Sequence, residues 1–187
     1  MRSLFLLFFA VYLWTAVPTT AWFDTGELAV GAFVLGNGHP PGQPLYAMSG
    51  KAATLLPVAS IPFRLTLFSA FCSALAMALL PGLLQRVNAR LELPPPSRIT
   101  LWMVVPGLGL MLPVWLQAVR LELYALQLLL TLIMLSLALQ DRVPGRSSPG
   151  PVLVIGLLVG LAWANHPLLT LLLVPGLALL IGWPGLR

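Results

Sequence analysis

Apolar runs alternate along this chain with short polar breaks, and the runs have the length of membrane-spanning helices. A spanning helix needs about 20 mainly apolar residues, with about 17 as the lower limit. Ser3–Thr20 makes one such span. Ala21–Pro62 is mixed in character and rich in Gly and Pro, so it reads as a long first loop with structure of its own. Within it, Leu28–Leu35 and Lys51–Pro57 are apolar enough to lie as short interfacial helices. Phe63–Leu84 makes a second span, and its Ala70, Ala74 and Ala78 stripe lets another helix backbone approach closely.

The loop Gln85–Arg98 contains Pro94-Pro95-Pro96, a stiff extended linker. Ile99–Leu139 is too long for one span and fits two, with Pro113 and Gln117–Glu122 marking the turn. After a Pro/Gly/Ser connector at Gln140–Gly150, Pro151–Trp183 again fits two short spans, broken at Asn165-His166-Pro167. Gly156 and Gly160 form a GxxxG packing face on the first of that pair. The expectation is an all-α polytopic bundle of about six spans. It forms a single transmembrane domain over residues 1–187, with a structured first outer loop at 21–62 and both termini on one side.

Composition supports this class. The chain is 59% hydrophobic and only 8% charged, against roughly 25% in a soluble domain. So few charges cannot cover a water-soluble globule. The net charge of +5 does not point to nucleic acid, because the basic residues are scattered at segment ends rather than gathered in a stripe. The single Cys72 sits in an apolar run and reads as core filler, which excludes a disulfide framework. Arg2, Leu4–Val17 and Thr19-Thr20-Ala21 also fit a signal peptide, but Trp22-Phe23 continues as an interface segment and favours an uncleaved first span.

The basic residues are sorted by side. With the N-terminus inside, the inner breaks hold Arg2, Arg86, Arg90, Arg98, Arg142, Arg146 and Arg187, seven of the ten. By the positive-inside rule this fixes a cytoplasmic N-terminus. The other breaks carry Asp24, Glu27, His39, Lys51, Arg64, Arg120, Glu122 and His166. That mixture of acids, bases and both histidines reads as a chemical site on the outer face.

Four patches meet there. Asp24 and Glu27 are three apart, so one helical turn puts both carboxylates on one face; a capping box, Asp24 as cap and Glu27 at the third position, reads the same residues differently. The stretch from Gly36 to Tyr46 holds three prolines and three glycines, which exclude helix and make a rigid loop that can fix His39 against a carboxylate. In Trp115–Tyr124, Arg120 and Glu122 are poor neighbours on one continuous helix, while a turn lets them pair; sequence leaves both open. Asn165-His166 inside an apolar run is expensive unless it lines a cavity. No His or Cys spacing makes a metal signature, and a divalent ion held by Asp24 and Glu27 has no support from spacing. No Gly-rich phosphate loop or nucleophile elbow is present.

Five blocks in this order carry a resemblance: Asp24-Thr25-Gly26-Glu27, His39-Pro40-Pro41-Gly42-Gln43-Pro44-Leu45-Tyr46, Leu67-Phe68-Ser69-Ala70, Glu122-Leu123-Tyr124-Ala125-Leu126 and Asn165-His166. They resemble the bacterial membrane family of domain of unknown function 2723, whose relatives are protein O-mannosyltransferase-like enzymes of the GT-C glycosyltransferase fold. The resemblance implies a multi-pass enzyme of the bacterial inner membrane, with its active site on the non-cytoplasmic face. It implies a sugar taken from a polyprenyl-phosphate carrier, which is a substrate rather than a cofactor, so the expected cofactor set is empty and the expected partners are membrane lipids and that donor. Asp24 then stands where the family's catalytic base stands, with Glu27 beside it. His39, Tyr46, Arg120, Glu122, Tyr124, Asn165 and His166 stand as substrate-binding positions. Family members are usually longer, so the resemblance is to an N-terminal portion, completed by a missing C-terminal part or a partner subunit. A transporter or assembly subunit, or an inactive fragment, is the alternative reading of the same intramembrane polar residues.

Overall fold

The computed structural model describes residues 2–36, 38–140 and 150–182. Among these it is all-helical, with nine helices and no strand. In chain order they are α1 (Arg2–Trp14), α2 (Thr25–Val34), α3 (Pro44–Thr54), α4 (Ile61–Arg90), α5 (Arg98–Gly109), α6 (Leu112–Ala118), α7 (Tyr124–Ala138), α8 (Gly150–Asn165) and α9 (Pro167–Gly182).

The axis of the molecule is α4. Ser60 starts it by accepting a hydrogen bond from the Phe63 amide, and Pro62 sits in its first turn, where its missing N–H leaves no gap. The helix runs 30 residues, past the expected Leu84, and among the described residues it is the one helix long and apolar enough by itself to cross a membrane. Ala70, Ala74 and Ala78 are buried as their spacing predicted. They let α1 and α7 pack closely on α4. Leu4, Phe8 and Tyr12 of α1 join Ala70, Ala74, Met77 and Val105 in the main core.

Gly109 is needed at that core. A Cβ there would clash with the Phe8 ring. The close approach also lets the Tyr12 hydroxyl donate to the Gly109 carbonyl at 2.7 Å, satisfying a buried phenol.

Several boundaries differ from expectation. The first apolar run was expected to be helical to Thr20, but α1 stops at Trp14. Pro18 disfavours helical geometry in the residue before it, and the Val17 amide turns away to the Val119 carbonyl at 2.7 Å. In the first loop, the second short helix is Pro44–Thr54 rather than Lys51–Pro57. Pro44 opens it, because a fixed φ suits the first helical position. The rigid loop therefore ends at Gln43, and Tyr46 belongs to a helix.

The turn expected at Pro113 and Gln117–Glu122 is found at residues 119–123, and a second break precedes Pro113. The break falls at Leu110–Met111, and Pro113 lies in the first turn of α6. A proline ring clashes with the carbonyl four residues before it, so the helix is interrupted upstream. α5 and α6 are bent by 66° and together are long and apolar enough for a second span. The linker of residues 119–123 then turns the chain into α7.

The Gly156–Gly160 face does not pack: both glycines are exposed, and a Cβ built on either would meet no atom of another helix within 4 Å among the described residues. Most of the Gln140–Gly150 connector, with Arg142 and Arg146, lies outside the described residues, as do Asn37, Trp183 and Arg187. The outer faces of the helices are apolar: Ile99, Trp102 and Met103 on α5, Leu153 and Leu157 on α8, and Leu171 and Leu172 on α9 are exposed.

Candidate functional site

The site lies where α2, the 119–123 linker and the α8–α9 break converge. A cavity of about 360 Å³ opens there. Seven of the nine residues singled out from the sequence line it: Asp24, His39, Arg120, Glu122, Tyr124, Asn165 and His166. The other two, Glu27 and Tyr46, line a small adjoining hollow.

Asp24 occupies the cap position of α2 but does not cap it, since its side chain makes no hydrogen bond to the helix. Thr25 does the local work instead: its hydroxyl accepts from the Ala21 amide at 2.9 Å and donates to the Ala21 carbonyl at 2.7 Å. The capping-box alternative also fails at Glu27, whose carboxylate reaches across to His39. One Glu27 oxygen accepts from the His39 amide, and the other lies 3.1 Å from His39 Nδ1. These bonds hold the Glu27 carboxyl below its ordinary value. The rigid loop thus does what its composition suggested, and it fixes His39 against a carboxylate.

The residue before Asp24 is bent for the purpose. Phe23 adopts a left-handed φ of 63°, uncommon for a bulky side chain. Its ring then lies 5.2 Å from the Arg120 guanidinium, within cation–π range. Arg120 also pairs with Glu122 at 3.2 Å and donates to Gln117 Oε1 at 3.3 Å. A linker, not a helix, passes through this segment, which resolves the open question of whether residues two apart can meet. The pair is buried, with side chains 9% and 6% exposed. Burial pushes the Glu122 carboxyl up, Arg120 pulls it partly back, and the charge of Asp24 pushes it up again. Arg120 Nε has no partner among the described residues.

Two polar ties hold the linker in place. The Ser69 hydroxyl on α4 donates to the Glu122 carbonyl and accepts from the Glu122 amide, both at 3.1 Å. Asn165 Nδ2, fully buried at the end of α8, donates to the Leu123 carbonyl at 3.1 Å and to Gln127 Oε1 at 3.0 Å. Gln127 Nε2 in turn donates to Thr170 Oγ1 at 3.1 Å. These bonds join the linker, α7, α8 and α9.

His166 caps α9, its Nδ1 accepting from the Leu169 amide at 3.3 Å. That bond leaves the proton of a neutral ring on Nε2. Its ring lies 5.4 Å from that of Tyr124.

Two other cations of the outer breaks, Arg64 and Lys51, do not line the cavity. Arg64 is not at the cavity: its guanidinium donates to the carbonyls of Thr54, Val58 and Ala59, closing the turn after α3. Lys51 donates to the Phe33 carbonyl and lies over the Phe33 ring. Conversely, Gln43 and Phe23 line the cavity without having been singled out. Gln43 gave no signal beyond its place in the Pro/Gly-rich block, and Phe23 is recognisable only from its φ.

Comparison with known proteins is informative at this point. The family described as Protein O-mannosyl-transferase TMEM260 N-terminal domain matches residues 24–184. The chain belongs to this family. The match begins at Asp24 and runs through His166, so it covers every residue of the cavity except Phe23. Among curated proteins, Protein O-mannosyl-transferase TMEM260 of Mus musculus is 36% identical over 72 residues, which is 38% of this chain. That stretch is 10% of the mouse protein, so the aligned part spans about a tenth of its relative's length. No solved structure matches the chain.

Proposed function

We propose that this chain forms the N-terminal, site-bearing part of a membrane glycosyltransferase. In this reading it moves a sugar from a polyprenyl-phosphate carrier to a hydroxyl acceptor on the non-cytoplasmic face. The observation that carries it is the placement of the Asp24 carboxylate, free of capping bonds, on one cavity with Arg120 and His39. Family membership supports a glycosyltransferase-like activity.

The chemistry follows from those groups. Asp24 takes the proton of the acceptor hydroxyl as its oxygen attacks the anomeric carbon. The bond from that carbon to the phosphate oxygen breaks, and the phosphate leaves with the electron pair. Arg120 and His39 offset the charge it gains. Phe23 and Glu122 hold the Arg120 guanidinium in place. The carrier's tail lies along the apolar groove between α7 and α9, which Tyr124 shares with the cavity.

The remaining architecture is read accordingly. We take α1, α4, the bent α5–α6 pair, α7, α8 and α9 as about six membrane segments, with the N-terminus cytoplasmic. The exposed apolar faces and the seven-to-three sorting of basic residues support this. In a Cys72-free background, a single cysteine at Met48 should be labelled from outside, and one at Glu92 only after the inner side is opened. The reverse pattern would move the cavity to the cytoplasmic face.

The test of activity is transfer of labelled sugar from a polyprenyl phosphate in membranes that contain the protein with whatever completes it. Asp24→Asn should abolish most of it. Undiminished transfer would remove Asp24 as the base. Uptake of a solute blocked by His166→Ala, with no transfer from any carrier, would favour a transporter instead.

A further inference from the structure

We propose that Tyr124 and His166 form a phosphate-recognising doorway, which holds the phosphate of a prenyl-phosphate lipid at the point where its tail ends. The inference rests on the donor reading above and gives the donor's phosphate a place that reading left open. The cavity and the groove between α7 and α9 share one lining residue, Tyr124. Consecutive residues of α9 line one space each, Leu168 the cavity and Leu169 the groove. The two spaces therefore meet where α7 and α9 begin. They measure about 360 and 420 Å³, each within the range of roughly 300–1,000 Å³ typical of small-molecule sites. A molecule with its tail in the groove and its head in the cavity has to pass this point.

Two donors flank the doorway. The His166 ring lies 5.4 Å from that of Tyr124. Its Nδ1 is taken by the Leu169 amide, and its carbonyl accepts from the Thr170 hydroxyl at 3.0 Å and the Thr170 amide at 3.2 Å. Gln127 holds the Thr170 hydroxyl in turn. Ring and backbone are both fixed, and Nε2–H is the polar group the ring has left to offer. Neither that nitrogen nor the Tyr124 hydroxyl is bonded among the described residues, and neither is sealed from solvent. A phosphate oxygen at the doorway accepts from both, and hydrogen bonds to an ionised acceptor are the strong kind.

The surroundings select a lipid rather than a free anion. Beyond Tyr124 the groove is lined by Leu128, Leu169, Leu172 and Leu173, with Gln127 and Thr131. Gln127 is committed to Asn165 and Thr170, so it offers little to a polar guest. On the other side, Asp24, His39 and Arg120 line the cavity and not the groove. Tail, phosphate and sugar follow one another in the donor as groove, doorway and cavity do in the protein. Arg120 then faces the phosphate from the cavity side, while His166 and Tyr124 hold it from the tail side.

Binding without turnover tests this. The protein, with whatever completes it, is placed in nanodiscs of zwitterionic phospholipid and titrated with undecaprenyl phosphate or with undecaprenol. Bound lipid is counted by native mass spectrometry. The phospholipid is in excess, so affinity for any lipid phosphate would not register. The unaltered protein should prefer the phosphate to the alcohol. His166→Ala should weaken phosphate binding by about tenfold or more, and Tyr124→Phe by roughly three- to tenfold. His166→Gln, which keeps an N–H near the place of Nε2, should retain most of the affinity. All three should bind the alcohol as the unaltered protein does. Full phosphate affinity in both His166→Ala and Tyr124→Phe overturns the doorway and leaves the transferase reading standing, with the phosphate at Arg120. Equal losses for phosphate and alcohol reduce the two residues to groove packing and overturn it as well. Displacement of the lipid by inorganic phosphate alone would make this a free-anion site, against the proposal. No preference for phosphate by the unaltered protein would sink the donor reading together with it.

Discussion

The junction of α1, α4 and α5 and the cavity end of the molecule are held together in opposite ways. At the junction, shape decides. Phe8 fills the space that Gly109 leaves, and alanines at four-residue spacing bring α4 against its neighbours. A single polar tie, Tyr12 to the Gly109 carbonyl, finishes it. At the cavity end, side chains hold backbone. Ser69 grips Glu122, Asn165 grips Leu123, and Glu27 grips His39. Packing of small residues lets helices come together but does not fix a five-residue linker. Hydrogen bonds to its carbonyls and amides do.

Four substitutions or conditions would break or sharpen this contrast. The largest effect should come from Asp24→Asn. Losing a positioned base lowers turnover by roughly 10²- to 10⁴-fold. Stability should stay unchanged, because Asp24 holds no part of the fold together. Sugar transfer and thermal unfolding, measured on the same membranes, check both halves. A large loss of stability would mean that Asp24 belongs to the architecture.

Gly109→Ala should do the reverse. Its new Cβ would clash with the Phe8 ring and lie 3.1 Å from Met77, so the core must shift. Overpacking of this kind costs about 1–3 kcal/mol. Unfolding in mild detergent should show that loss. Phe8→Leu in the same chain should restore part of it.

Ser69→Ala should cost less, about 1 kcal/mol, for a paired hydroxyl. Its effect on transfer should exceed its effect on stability, because the linker that carries Arg120 and Glu122 loses its anchor on α4. Equal, small effects on both would reduce Ser69 to ordinary packing.

The smallest effect should come from acid. The Glu27 carboxyl is held below its ordinary value of 4.5 by its bonds to His39. A depressed carboxyl stabilises the folded state above its unfolded pKa and loses that contribution as pH falls through the folded value. In metal-free buffer, exchange of the His39 amide should therefore quicken, relative to its intrinsic rate, as pH drops below 4.5. Glu27→Gln should already exchange faster at neutral pH and lack this acid-dependent step. An amide indifferent to both would show that Glu27 does not anchor the loop.

The sequence by itself determined the all-helical class, the buried alanine stripe on α4, the break at His166 and half of the residues that line the cavity. Each is a local property: hydrophobic run length, side-chain spacing, or proline chemistry within a few residues. Helix ends at Trp14 and Gly109 were less legible, because proline acts upstream of itself and the length of a run does not say where. The tertiary structure alone decided what Glu27 holds, that Arg120 meets Glu122 and Phe23, and that Arg64 closes a turn. It also left Gly156 and Gly160 exposed. A motif gives a helix the means to pack, but only the arrangement of all the helices gives it something to pack against. Contacts between groups far apart in the chain depend on loop paths and left-handed turns, and no spacing rule encodes those.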